Sequence, residues 1–374
     1  LIASYALMDG MLKHMIRSAT DILVGEAQMH AEEYLEDLSF YKSIKDSEAI
    51  LKVANTRGIR AAPRSYGYGL VSVGTKSAGA SFWGIDPAVE REAFDLAKHI
   101  QHGHFLSDNK AQGIVLGKKL ARSLQASVGS EVIVVVQAAD GSLGNELYTV
   151  TGILKTVGDE IDRGAAILHK DDFRELFVSG GRIHEIAFNA HRLYPLEDLK
   201  MILASSAQGT EVKTWRELLP ALSDMVNIMD VAIGVFGAIF FLAAGLGVMN
   251  TMLMATYERM REFGILKAIG TSPWRIIGNM ATEAFMLTAV ASVLGFCIGL
   301  ALSYYLQEVG IDTTIFAGTF SFSGVAWDPI WRAAVSFKVV VIPIVVMCLI
   351  CTVASLYPAI MAARLDPVRA IHHV

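Results

Sequence analysis

Residues 231–257 read VAIGVFGAIFFLAAGLGVMNTMLMATY and carry no charge. Two further uncharged runs follow, AFMLTAVASVLGFCIGLALSYYLQ at 284–307 and VVVIPIVVMCLICTVASLYPAIMAA at 339–363. An α-helix needs about 20 mostly apolar residues to cross a hydrocarbon core of ~30 Å. All three runs reach that length. A buried helix of a soluble protein rarely goes so far without a charge, so the spacing predicts three transmembrane helices.

Outward from these runs the composition changes. The chain opens LIASYALM and turns polar at Asp9. Eight apolar residues are too few to span a bilayer. They read as the outer end of a first span that begins upstream, with a cleaved signal peptide as the alternative. From Asp9 to about Val226 charges are frequent, and Gly and Pro punctuate short apolar runs. Helical spacing continues over 5–24. Strands are expected at 70–73, 80–85, 132–137, 148–154, 165–168 and 183–189, with turns at Gly74–Gly79 and Asp140–Gly144. Helices are expected at 43–57, 116–126, 171–177 and 195–207. This is a mixed α+β domain. Across the whole chain hydrophobic residues are 53% and charged residues 18%, against about 25% charged in ordinary soluble domains. A net charge of −5 argues against a nucleic-acid partner.

The loop at 257–277 holds Arg259, Arg261, Lys267 and Arg275 against Glu258 and Glu262, and the C-terminal tail adds Arg364 and Arg369. The loop at 308–338 holds Glu308, Asp312 and Asp328 against Arg332 and Lys338. The positive-inside rule places 257–277 and the C-terminus in the cytoplasm, and the large domain outside. That orientation needs an odd number of crossings before residue 9, in keeping with an upstream first span. The cysteines, Cys297, Cys348 and Cys351, all fall inside expected spans. Cys348-x-x-Cys351 imitates a redox motif but reads as small apolar filler at membrane depth.

Gly113-IVL-Gly117-Lys118-Lys119 approaches a phosphate-binding loop. Its spacing is one short, and Lys119 stands where the hydroxyl belongs. It reads as a strand-to-helix turn, so no ATP hydrolysis is expected from this chain. His99, His102 and His104 cluster beside Gly103, yet no Cys or well-spaced carboxylate completes a tetrahedral set. A solvated loop is expected there, with no metal. His372-His373 is a weaker pair still.

Positive chemistry gathers in the loop. Glu258-Arg259-Met260-Arg261-Glu262-Phe263-Gly264-Ile265-Leu266-Lys267-Ala268-Ile269-Gly270 joins a charged start to a compact apolar patch. Ser272 and Pro273 then suit an N-cap and first turn. Such a segment can lay its apolar face in a groove of a soluble partner or on lipid. Ala291, Gly295, Gly299 and Ser303 recur four apart on the next span and would admit a close helix neighbour. On the span before it, Met225, Ile228, Met229, Ile233, Phe236 and Phe240 share one helical face. With Met11 and Met15 they would form a deformable apolar wall, or a plain helix-packing or lipid-facing surface.

The loop resembles the coupling helix of FtsX/MacB-type ABC transporter permeases, which reads much like E-R-x-R-E-x-G-x-L-K/R-A-x-G. The stretch Tyr357-Pro358-Ala359 … Ala362-Ala363-Arg364-Leu365-Asp366-Pro367-Val368-Arg369-Ala370-Ile371 resembles that family's closing motif. Gly84-Ile85-Asp86-Pro87 and Val128-Gly129-Ser130-Glu131-Val132 are similar to its outer-domain motifs, with Ser130 in place of the usual Asp. The opening (Met8–Met11, Ala27–His30, Tyr34–Asp37) looks most like the lipoprotein-releasing (Lol) permeases. The resemblance implies an α-helical membrane domain of four spans, the first incomplete here, and a large periplasmic α+β domain of MacB type. In that layout 1–24 ends span 1 and 25–226 is the periplasmic domain. Spans 2, 3 and 4 are 227–256, 278–307 and 338–363. The coupling loop is 257–277, the periplasmic loop 308–337, and the tail 364–374.

The resemblance also implies a multi-pass protein of the bacterial inner membrane. It would be a non-enzymatic subunit, working with an ABC ATPase dimer that binds ATP and Mg, and with a second permease chain. The coupling contacts would be Glu258, Arg259, Arg261, Glu262, Phe263, Gly264, Ile265, Leu266, Lys267, Ala268 and Gly270. The implied role is extraction of lipoproteins toward a periplasmic carrier by mechanical coupling, with the Met-rich wall holding acyl chains. The subunit that docks the carrier has a proline-bounded insertion between two strands. Here the matching turn is only Ala138–Asn145, which points to the partner subunit or to one half of a homodimer. MacB-like efflux of a peptide or drug, and FtsX-like signalling to a cell-wall hydrolase, are the alternatives.

Overall fold

The structure is a computed structural model and describes residues 2–312, 321–322, 325–326 and 330–365. Asp328, the end of the closing motif from Asp366 and the His372-His373 pair lie outside the described residues. The chain divides into two compact units, one built on His14–Met225 and the other on Leu1–Lys13, Val226–Phe316 and Pro329–Val374.

The first unit is α+β. Its strands are β1 (Ala27–Ala31), β2 (Arg60–Val73), β3 (Lys76–Ile85), β4 (Ile100–Gly103), β5 (Gly113–Leu116), β6 (Glu131–Gln137), β7 (Leu143–Leu154), β8 (Ala165–His169), β9 (Glu185–Asn189) and β10 (Thr210–Thr214). The pairings β2–β3, β3–β8, β8–β5, β5–β7, β7–β6 and β6–β2 close a ring. The first half of β2 instead pairs β9, which continues to β1 and β10 as an open wing. One long strand therefore serves both the ring and the wing of a single ten-stranded sheet. Side chains alternate along β6, where Val132, Val134 and Val136 are buried between exposed Glu131, Ile133 and Gln137, the period expected when one face of a strand meets a core. The largest cluster joins these valines to Val71, Phe82, Ile114 and Leu168. It also takes in Leu120 and Leu124 of one helix (Lys118–Leu124) and Phe173 and Phe177 at the end of another (Lys170–Leu176).

The outer-domain motif now has a physical account. A Cβ on Gly84 would lie 2.5 Å from Cγ of Phe173. The absent side chain lets that ring lie against β3 and stack on Phe177 at 4.3 Å between centroids. Asp86 caps the helix Pro87–Ala93 by accepting from the N–H groups of Ala88 and Val89 at 3.1 and 3.3 Å. Pro87 sits in the first turn, where a missing N–H costs nothing. Lys170 donates to Asp86 at 2.6 Å and joins that cap to the helix Lys170–Leu176. Gly84→Ala is expected to destabilise by about 1–3 kcal/mol, as overpacked cores do. Thermal denaturation of the whole chain would read this as a fall of at least about 2 °C in Tm.

Arg64 is buried. It forks onto Glu90 at 2.6 and 3.2 Å, donates to Glu185 at 2.9 Å and stacks over Phe94 at 4.7 Å. Two buried acids differ. Asp162 and Asp172 each leave one carboxylate oxygen without a hydrogen-bond partner. Burial pushes both carboxyls above the ordinary aspartate range. A carboxyl whose folded pKa exceeds its unfolded value holds its proton harder when folded. Its stabilising contribution is complete below the unfolded value, about 3.9, and is lost as pH rises through the folded one. Asp172→Asn should therefore lose less Tm than the parent chain does as pH rises from about 3.9 to neutrality. An unchanged slope would contradict this.

The second unit is helical. Among the described residues, three helices are long and apolar enough to cross a membrane: Pro220–Glu258, Pro273–Glu308 and Phe337–Ala363. The expected runs lie within them, and each helix starts earlier than its uncharged run. Taking helices in chain order, we label Ile2–Ala19 α1, Tyr34–Asp37 α2, Ser47–Thr56 α3, Pro87–Ala93 α4, Lys118–Leu124 α5, Asp159–Gly164 α6, Lys170–Leu176 α7, Leu196–Ala204 α8 and Trp215–Leu218 α9. Pro220–Glu258 is then α10, Met260–Ala268 α11, Pro273–Glu308 α12 and Phe337–Ala363 α13. Helix α1 carries Asp9, Lys13 and Arg17 and is not itself long and apolar enough to cross. Gly10 of α1 fits against backbone near Arg332–Ala334, where a Cβ would meet the carbonyl oxygen of Arg332 at 2.0 Å.

Candidate functional site

The loop expected to carry function folds as one short helix, α11, between two sharp breaks. Arg259 leaves helical geometry (φ −101°, ψ 15°) and so separates α11 from α10. At the other end Gly270 takes φ +93°, a backbone state that favours glycine. Its N–H bonds the Lys267 carbonyl and the Thr271 N–H bonds the Leu266 carbonyl, both at 3.0 Å, which is the Schellman closure. Ser272 and Pro273 then begin α12 as expected of a cap and first turn, although the Ser272 side chain makes no capping bond.

Helical spacing divides α11 into two faces. Met260, Phe263 and Gly264 are buried, and Lys267 on the same row is half-buried. Phe263 packs among Met252 of α10, Ile276, Met280 and Ala284 of α12, and Ala359 and Ala362 of α13. All three long helices thus contribute to the buried cluster that holds this ring. Arg259 lies over that ring at 5.6 Å, bonds Glu262 at 3.1 Å and reaches Glu283 of α12 at 3.1 Å. Lys267 donates to the Ala363 and Leu365 carbonyls at 2.9 and 2.6 Å. The opposite face is open. Arg261, Glu262, Ile265, Leu266, Ala268, Ile269 and Gly270 are exposed, as is Glu258 beside the break. Ile269 is 74% exposed and the neighbouring Trp274 81%. An apolar patch rimmed by charges is the chemistry of a protein-binding surface.

The small-residue row on α12 divides in two. Gly299 packs against Ile2, whose Cβ would stand 3.1 Å from an added Cβ, and Ser303 is buried with its hydroxyl on the Gly299 carbonyl. Ala291 and Gly295 line a cavity of about 690 Å³ with Gly247, Thr251, Thr288 and Cys351. Of the expected apolar wall, Met11 and Met15 are buried, Met225, Met229 and Ile233 half-buried, and Ile228, Phe236 and Phe240 exposed. His99 and His104 each turn a ring nitrogen to a nearby carbonyl oxygen at 3.0 Å. Among the described residues no group of three or more His, Cys, Asp or Glu could hold a metal ion. Gly117 stands between β5 and α5, the strand-to-helix turn expected there.

Several members of the site escaped sequence reasoning. Glu283 lies 24 positions from Arg259 and carries no local signal. Trp274, in the first turn of α12, is exposed beside the patch. The Ala359, Ala362 and Ala363 row was quotable, and its 3–4 spacing could have been read as a seat for another helix.

The family described as the MacB-like periplasmic core domain matches residues 1–213, and that described as the FtsX-like permease C-terminal matches 234–367. Among curated relatives, an uncharacterised ABC transporter permease of Methanocaldococcus jannaschii is 23% identical over 78% of this chain and 70% of its own length. The lipoprotein-releasing system transmembrane protein LolC of Xylella fastidiosa is 23% identical over 78% of this chain and 72% of its own. The macrolide export ATP-binding/permease protein MacB of Marinobacter nauticus is 27% identical over 52% of this chain and 31% of its own.

Proposed function

The chain belongs to the FtsX-like ABC transporter permease family, with a MacB-like periplasmic core domain, and from that premise we propose that it is the transmembrane subunit of an ATP-driven complex that draws lipoproteins out of the bacterial inner membrane toward a periplasmic carrier. The observation that carries the reading is α11, with one face buried on all three long helices and the other open to a partner. The partner is an ABC ATPase dimer, which supplies ATP and Mg. A second permease chain, the same or paralogous, completes the assembly.

In this reading closure of the ATPases presses on Ile265, Leu266 and Ile269. The load passes through Phe263 to the ends of the three spans. Helix α10 runs unbroken for 39 residues, roughly 58 Å at 1.5 Å per residue, which makes it a stiff lever. Motion follows only from a difference in how the ATP-bound and ATP-free partner fits two permease arrangements. The apolar wall on α10 holds acyl chains, and its methionines adapt to varied lipids.

Support for the lipoprotein class comes from the LolC relative, which aligns over most of both chains. The MacB-like core favours a second reading, efflux of a peptide or drug. Purification with the ATPase, followed by mass spectrometry, separates them. Co-purified acylated protein supports release of lipoproteins, and a peptide or drug in its place supports efflux. A complex that retains no substrate would point instead to signalling.

A further inference from the structure

We propose that Lys267 is a positioning residue that ties α11 to the C-terminal end of α13, so that a push received by α11 moves α13 together with α10. The inference rests on the permease reading and adds a second output to it. Lys267 lies on the inner row of α11, one turn beyond Phe263. Its ammonium donates to the carbonyls of Ala363 and Leu365, 2.9 and 2.6 Å away.

The Ala363 carbonyl is one of those a helix end leaves without intrahelical partners, and it stands at the negative end of the helix dipole, which a cation stabilises. The Leu365 carbonyl follows just past the cap residue Arg364. The contact is therefore charge-assisted at both oxygens. Phe263 against Ala359 and Ala362 supplies contact area but no fixed register, because apolar surfaces slide. The two bonds from Lys267 fix the register. Arg259 does the corresponding work toward α12 through Glu283, but in a more exposed setting. Every donor in the latch belongs to α11 and its flank, and every acceptor belongs to α12, to the last residue of α13 or to the chain just past it.

The test uses the full complex with its ATPase in lipid, spin-labelled at Ser272 and Arg364, both exposed. The parent should give one narrow label-to-label distance with and without ATP. Lys267→Met keeps the stem and removes the donors. It should broaden that distance and slow ATP-driven release at least about fivefold, the low end of measured coupling effects. Lys267→Arg should restore both, and Lys267→Gln serves if the Met variant is not recovered. A narrow distance with parental release in Lys267→Met, or in Lys267→Gln in its place, would overturn the latch. So would loss of the ATPase from the variant with the distance unchanged, since Lys267 would then be a docking contact. If the parent complex itself releases substrate without ATP, the permease reading fails and not the latch alone.

Discussion

Ile265→Asp combined with Ile269→Asp is expected to separate the chain from its ATPase. Both side chains lie on the open face of α11, 47% and 74% exposed, so neither supports the fold. Burying an Ile at an interface contributes about 1.5–3 kcal/mol, and placing a carboxylate in the same apolar groove adds a desolvation cost. Two such changes should weaken association by at least about a hundredfold. Co-purification would read this directly, with the variant still in the membrane at parental level. Charge reversal at Arg261 and Glu262 should act in the same direction but less strongly, because exposed charges are screened. Retention of the ATPase by the double Asp variant would mean that α11 faces something else.

Phe236→Asp is expected to abolish substrate retention while leaving the complex assembled. Phe236 is 58% exposed on α10, between Ile233 and Phe240 on the same face. An acyl chain against that face loses apolar contact and meets a carboxylate, which costs roughly 2.5–3.5 kcal/mol within a membrane. Met229→Asp should behave alike, about two turns away along the helix. The readout is the amount of acylated protein that co-purifies per complex. Undiminished co-purification in both variants would remove the slot and leave the row as a helix-packing surface.

The membrane helices were legible because nothing local competes with an uncharged run of that length. In the α+β unit legibility followed periodicity. The strand Glu131–Gln137 alternates and stood out, whereas Ala27–Ala31 is buried at every position between two neighbours and offers no period to read. Thr210–Thr214 is polar and short, and it forms the end of the sheet order. The strand Ile100–Gly103 is short and exposed at three of its four positions, so it offers no alternation to read. Closure of the ring through β6 depends on pairings between residues more than 60 positions apart, and no single-sequence pattern announces those. At the site, the start of α12 at Ser272-Pro273 and the apolar centre of α11 were legible, whereas the break at Arg259 was not. The division of α11 into an inner and an outer face was not legible either, because Phe263 and Ile265 are equally apolar and only the packing of α12 and α13 tells them apart.

The most direct test of the central claim, that α11 is pushed from the cytoplasm by a separate ATPase, is a crosslink from Ile269→Cys in a background lacking Cys297, Cys348 and Cys351. In right-side-out membranes the account predicts that this thiol crosslinks to the ATPase in an ATP-dependent way and resists a membrane-impermeant reagent added outside. Labelling from outside, or no crosslink to the ATPase under any nucleotide condition, would contradict it.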